Sequence, residues 1–179
     1  MISKTLTVSA SLLNVILAVL LYRAKTAQHW GDSAELTPGV RVPPLVGADP
    51  LGRPISIEYS TQVRTVLYVF SPGCGWCERN EKSLQRLARA LRGKFRFFAI
   101  SLDREGLLDW IHLQRPEYDI VTDLPYRAFL AYRFTSTPMT VVISPGGTVD
   151  RAWLGAYRSE TVREIEKYFG VSLPQASPE

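Results

Sequence analysis

Ser71-Pro72-Gly73-Cys74-Gly75-Trp76-Cys77 decides the reading of this chain, because it holds the only two cysteines among 179 residues. A polar, helix-forming run from Glu78 to Arg92 follows at once. Two thiols separated by two residues on the first turn of a helix can close a small disulfide ring, and the positive end of the helix dipole stabilises the thiolate of the first. The pattern points to dithiol redox chemistry. Other uses of a C-x-x-C pair fit less well. A structural zinc site needs two more thiolates or imidazoles, and the only imidazoles, His29 and His112, lie far off in sequence. A purely structural bridge across so short a loop removes little chain entropy and stabilises weakly.

Upstream, Thr65 to Phe70 (Thr-Val-Leu-Tyr-Val-Phe) is β-branched and aromatic without polar alternation, as expected of a strand buried on both faces. Pro72 and Gly73 break that strand, and a helix is expected from near Cys74 to Gly93. Cys77, Leu84, Leu87, Ala88 and Leu91 share one face with helical spacing, while Lys82, Arg86 and Arg89 point away. Cys74 is then on the exposed first turn and Cys77 on the inward side.

Further out, Val42–Val46 and Arg53–Ile57 are short extended segments joined by the turn-rich Ala48-Asp49-Pro50-Leu51-Gly52, which predicts a hairpin. Phe95–Leu102 is a second apolar strand, Asp103–Leu113 a helix, Asp119–Thr122 a short strand, and Pro125–Tyr132 a brief helix with Asp123 or Leu124 at its start. Met139–Ser144 and Thr148–Leu154 form an antiparallel pair around Pro145-Gly146-Gly147. Ser159–Phe169 closes as an amphipathic helix. Strands alternating with helices, then a terminal hairpin and helix, give an α/β sandwich with a mixed sheet.

A hydrophobic content of 46% suits one globular domain with a real core and an extension at one end. The net charge of +4 and pI of about 9.2 are mild. The densest basic stretch, Arg86, Arg89, Arg92, Lys94 and Arg96, begins on the polar side of a helix, so it reads as a solvated face and argues against nucleic-acid binding. At the N-terminus, the run from Leu6 to Tyr22 carries no charge and reaches about the lower length limit for a bilayer-spanning helix. A cleavage site wants small residues one and three positions before the cut, and Tyr22 or Lys25 falls at the third. An uncleaved anchor is favoured over a removed signal. The organisation expected is an anchor or signal segment over 1–25, a linker over 26–37, a folded domain over 38–170 and a tail over 171–179.

In this order the motifs resemble the thioredoxin superfamily and, within it, the membrane-anchored, exported TlpA/ResA-type thiol-disulfide oxidoreductases. The resemblance spans roughly Pro38 to Phe169. It rests on Val42-Pro43-Pro44 with Asp49 and Gly52, on the strand into Cys74-Gly75-Trp76-Cys77, on Thr137-Pro138 before a strand, and on Gly146-Gly147 ahead of Trp153-x-Gly155. It implies a thioredoxin-like three-layer sandwich around a central mixed sheet, preceded by one N-terminal transmembrane helix. It also implies a cis Thr137–Pro138 peptide bordering the groove that receives a partner chain; a cis bond is low in cost only before proline. The departures are Gly73 in place of the tryptophan that commonly precedes the first cysteine, Trp76 between the cysteines, and Tyr68 where thioredoxin has a buried aspartate. The acid found three residues after the second cysteine in some ResA-type proteins is here Asn80, with Glu81 beside it. Glu81 is a candidate for proton transfer to and from Cys77, although an exposed helix position pairing with solvent is the simpler expectation.

The mechanism expected is attack of the Cys74 thiolate on a partner disulfide, followed by attack of Cys77 on the mixed disulfide. Gly73, Gly75 and Trp76 form the active-site loop, with Gly75 leaving room for close approach. The resemblance implies exported partner proteins with disulfides or paired thiols, a membrane thiol electron donor, no cofactor, and a single-pass location in a bacterial inner membrane with the domain in the periplasm or otherwise outside the cytoplasmic membrane. The reducing direction is favoured, with cytochrome c or metal-centre maturation as examples. The alternative is a thiolate metal-binding or metallochaperone module of the same fold, in which Met139 would be the third ligand to a soft ion. An adhesive module and a peroxidase fit less well, since both cysteines are retained as a pair and no separate peroxidatic cysteine is present.

Overall fold

The structure is a computed structural model that describes residues 36–59 and 62–174. The sheet is built outward from β3 (Thr65–Phe70), every residue of which is buried. β4 (Arg96–Ser101) pairs with it in parallel and β6 (Met139–Ile143) antiparallel, so β3 has neighbours on both edges. β5 (Asp119–Val121) extends the sheet in parallel beyond β4, and β7 (Val149–Leu154) extends it antiparallel beyond β6. The order is β5-β4-β3-β6-β7, a mixed sheet.

Alternation along β3 divides the core between the two faces of the sheet. Val66, Tyr68 and Phe70 pack with Cys77, Leu84, Leu87 and Leu91 of α1 (Gly75–Leu91), with Leu107 of α2 (Leu107–Gln114) and with Val162 and Ile165 of α4 (Ser159–Phe169). Leu67 and Val69 pack with Ala128 and Tyr132 of α3 (Tyr126–Tyr132), and with Leu45 and Ile57 from a separate antiparallel hairpin, β1 (Leu45–Ala48) and β2 (Pro54–Ile57). Full burial of each such leucine or isoleucine contributes about 1.5–3 kcal/mol. Helices on both faces of a mixed sheet make the α/β sandwich expected from the sequence.

Several elements begin or end away from the positions the sequence predicts, for identifiable reasons. The first strand begins at Leu45 rather than Val42, because Pro43 and Pro44 have no N–H for a ladder; Val42 N–H instead donates to the Gly147 carbonyl at 2.8 Å. The Tyr132 hydroxyl donates to the Pro43 carbonyl and lies 2.7 Å from the Tyr59 hydroxyl, which ties this entry segment to α3. The helix expected from Asp103 starts only at Leu107, since the chain turns first, Leu107 N–H donating to the Arg104 carbonyl, and Gly106 takes φ +71°. Leu36 and Leu173 are buried, and Ser83 Oγ donates to the Pro174 carbonyl at 3.1 Å, so the packed body runs past the expected limits 38 and 170 at both ends. The anchor expected over 1–25 lies outside the described residues. Among the described residues no helix is long and apolar enough to cross a membrane.

The hairpin is docked on the sheet through an isolated bridge between Ala48 and Thr122, where backbone meets backbone. A Cβ on neighbouring Gly47 would lie 2.6 Å from the Thr122 carbonyl oxygen and 2.8 Å from Val121 Cγ1. Gly47→Ala is therefore expected to destabilise by about 1–3 kcal/mol, read as a lower urea midpoint at unchanged slope. Gly73→Ala, whose added Cβ meets nothing within 4 Å, should stay within about 0.5 kcal/mol of the parent. Equal midpoints for the two variants would refute this account of the docking.

Candidate active site

β3 ends at Phe70, and the turn Ser71-Pro72-Gly73 carries the chain out of the sheet to Cys74. Cys74 is the N-cap of α1, with extended backbone (φ −84°, ψ 105°), and its Sγ accepts the Cys77 N–H at 3.2 Å. The cap acts as serine or aspartate does elsewhere, its side chain accepting from the first turn of the helix, and it shares the Cys77 N–H with the Cys74 carbonyl, which accepts it at 2.9 Å. The same N–H and the helix dipole lower the energy of negative charge on that sulfur. Cys74 and Cys77 form a disulfide with their Cα atoms 5.2 Å apart. Cys74 is half-buried at the surface, whereas Cys77 is 3% exposed. The exposed-first, inward-second disposition read from the helical period is the one observed.

Beside this turn stands the second backbone feature expected from the resemblance. Thr137–Pro138 is cis, and Pro138 is buried immediately before β6. In the β3–β6 register Met139 pairs with Val69, so Pro138 lies beyond the last pair, at the end of β3 that delivers the cysteines. The Pro138 carbonyl accepts the Gly155 N–H at 2.7 Å, which fixes the loop after β7 against it. That loop is held from the other side too, since Tyr157 N–H donates to Asn80 Oδ1 of α1 at 2.8 Å.

Gly73 and Gly75 are both exposed, and a Cβ on either meets nothing within 4 Å. The approach to Cys74 is open at Gly75 as expected. Trp76 is 43% exposed, with the Arg79 guanidinium 4.5 Å and the Arg158 guanidinium 5.2 Å from its ring centroid. Arg79 follows from i, i+3 spacing; no local signal brings in Arg158, which arrives through the loop after β7.

Glu81 corrects the simpler expectation of an exposed helix residue. It is 6% exposed, accepting from Gln85 Nε2 at 2.9 Å and from the Tyr118 hydroxyl at 3.2 Å. It lies one helical turn after Cys77, on the buried side of α1. Burial raises its carboxyl pKa above the usual range, against the lowering effect of the Gln85 and Tyr118 hydrogen bonds. The Tyr68 and Tyr118 hydroxyls are raised as well, chiefly by burial. Asn80 and Ser83 are buried on this face too, so the stripe read from the sequence as apolar also carries three polar side chains. The Asn80 side chain, buried beside Tyr68, is the hydrogen-bond partner that opposes part of the rise at Tyr68.

Met139, the candidate third ligand to a soft metal, packs on the opposite face of the sheet from Cys77, with Leu67, Val69 and Val141. Alternation along β6 places it there. Among the described residues no group of three or more His, Cys, Asp or Glu side chains is disposed to hold a metal ion.

No protein-family model and no curated protein matches this chain. Solved structures do. The chain is similar to a thiol:disulfide interchange protein DsbE from Chlorobium tepidum, with a TM-score of 0.63 at 17% identity over 76% of this chain and 98% of that one. It is also similar to the thioredoxin domain of a thiol-disulfide oxidoreductase from Bacteroides vulgatus, with a TM-score of 0.59 at 19% identity over 75% and 99%. A third is a secreted disulfide oxidoreductase of Mycobacterium tuberculosis, homologous to E. coli DsbE, with a TM-score of 0.58 at 18% identity over 70% and 93%. Residues 36–174 therefore have the thioredoxin fold.

The buried carboxyl has a consequence for stability. A group whose folded pKa is raised contributes stability fully present below its unfolded value, here the ordinary 4.5, and lost as pH rises through the folded value. Relative to Glu81→Gln, the parent should be at its most stable below about pH 4.5 and lose ground as pH rises towards neutrality. Paired urea titrations from pH 4 to 8 measure the difference; a pH-independent gap would show that Glu81 is not desolvated.

Proposed function

We propose that this chain of thioredoxin fold is a protein thiol-disulfide oxidoreductase that exchanges the Cys74–Cys77 couple with exported partner proteins, acting as their reductant. The observation that carries the reading is the asymmetry of the pair: Cys74 capping α1 at the surface and Cys77 buried one turn inward. An attacking sulfur has to be reachable and stabilised as thiolate. A resolving sulfur has to be close yet shielded, so that it meets only the mixed disulfide.

In the reducing direction the Cys74 thiolate attacks one sulfur of a partner disulfide, forming a Cys74–partner bond and releasing the partner's other sulfur as thiolate. Cys77, once deprotonated, attacks Cys74 Sγ; the partner's second sulfur leaves, and the Cys74–Cys77 disulfide closes. Two electrons pass from the dithiol to the partner, and run backward the same steps oxidise a partner dithiol. Glu81 is assigned the Cys77 proton, because its carboxyl is buried on the same helix face and its raised pKa lets it hold the proton it accepts. Thr137 and cis-Pro138 border the groove for the partner's chain, and Gly73, Gly75 and Trp76 form its other margin.

Export and anchoring belong to the same proposal. Its support is the charge-free run Leu6–Tyr22 and the secreted character of one structural neighbour. With residues 1–25 as a membrane anchor the domain works outside the cytoplasmic membrane. The chain has no second cysteine pair, so a membrane thiol donor has to supply electrons for repeated turnover. Apocytochrome c cysteines and metal-centre assembly proteins are the substrates this arrangement suits.

Cys74→Ser should abolish disulfide exchange, whereas Cys77→Ser should accumulate a mixed disulfide with the partner, visible on a non-reducing gel and released by thiol. Full activity in both variants would end the dithiol mechanism. Equilibration of the parent against defined thiol buffers sets the direction: a potential at or below about −250 mV fits a reductant, and one near −120 mV makes it an oxidant.

A further inference from the structure

Trp76 stands between the two cysteines, so whatever bonds to Cys74 lies within a residue or two of its ring. Both arginines against that ring are exposed and stand on anchored backbone. Arg79 is one turn along α1, and Arg158 is the N-cap of α4 at the end of a loop pinned by Pro138 and Asn80. Among the described residues neither arginine makes an ion pair, and the acids nearest in the chain, Glu78 and Glu160, are exposed and paired with neither. A guanidinium lying over an aromatic face keeps its N–H fork free for a carboxylate, and the stack holds that fork still before the anion arrives. Two exposed cations without an ion-pair partner among the described residues therefore lie over an exposed aromatic platform between the two cysteines.

We propose that Trp76, Arg79 and Arg158 form a docking surface for partner segments that carry Asp or Glu within about three residues of the exchanging cysteine, a reach of roughly 10 Å of extended chain. The aromatic ring takes the apolar part of the segment and the two guanidiniums take its carboxylates. The inference rests on the oxidoreductase reading and adds the partner's chemistry to it.

The test uses the full-length protein with three cyclic peptide disulfides that differ only at two positions beside one cysteine: Glu-Glu, Gln-Gln or Lys-Lys. The kcat/KM ratio of the Glu to the Gln peptide is expected to be about three- to tenfold at about 10 mM salt, from two exposed charge contacts, and to fall towards one at about 0.5 M salt. In Arg79→Gln/Arg158→Gln the ratio should be near one at both salts, and Arg158→Glu should shift preference to the Lys peptide. Because each value is a ratio within one variant, an effect of the arginines on the Cys74 thiolate itself cancels. A ratio of one in the parent, or a ratio the arginine variants leave unchanged, overturns the proposal. Binding of thiol-free Ser versions of the peptides to the oxidised protein, followed by fluorescence anisotropy, separates the two failures. If no disulfide turns over but the Glu peptide still binds with the same arginine dependence, the oxidoreductase reading falls and the docking surface stands. If neither peptide charge nor the arginines affect binding, the docking surface falls whatever the turnover.

Discussion

A strand buried on both faces has to leave the core somewhere, and where β3 does so a helix N-terminus needs partners for its unpaired N–H groups. Cys74 meets both demands at once. Its sulfur caps α1, sharing the Cys77 N–H with its own carbonyl, while its backbone completes the turn out of Phe70, so the first cysteine sits at the very start of the helix. The surroundings follow from that position. The β3–β6 register brings cis-Pro138 to the same end of the sheet, and the Pro138 carbonyl with the Asn80 side chain secures the loop after β7. The candidate groove margin is thus anchored by a central strand, the helix packed on it and a proline turn.

Beneath that rim the inner face of α1 carries more polar atoms than a core helix usually holds. Most are accounted for: Asn80 holds Tyr157, Glu81 is bonded to Gln85 and Tyr118, and Ser83 holds the C-terminal segment at Pro174. Tyr68 of β3 is buried against the same face, with the Asn80 side chain as its hydrogen-bond partner. Glu81 puts a buried carboxyl on the α1 side of the interface, while the sheet contributes Tyr68.

Local chemistry made much of the protein legible in advance. The unbroken β-branched and aromatic run of Thr65–Phe70 announced a central strand, the 3.6-residue spacing of Cys77, Leu84, Leu87 and Leu91 announced the inner face of α1, and Pro145-Gly146-Gly147 announced the last hairpin. Boundaries went astray where proline or a left-handed glycine acted, at Pro43-Pro44 and at Gly106. The burial of Glu81 is not legible locally, because spacing places a residue on a helix face but does not say how much of that face its neighbours cover; Tyr118 and Gln85 cover this one.

What the sequence by itself determined was the order of elements, the pairing of two cysteines at a helix start and the side of the helix each would occupy, since all of these follow from period, turn chemistry and capping within a dozen residues. Tertiary structure alone decided that Met139 turns away from the cysteines, that Asn80 clasps the loop after β7, and that Arg158 lies over Trp76. Those depend on sheet register and on contacts between residues 77 to 82 positions apart, which no local pattern encodes.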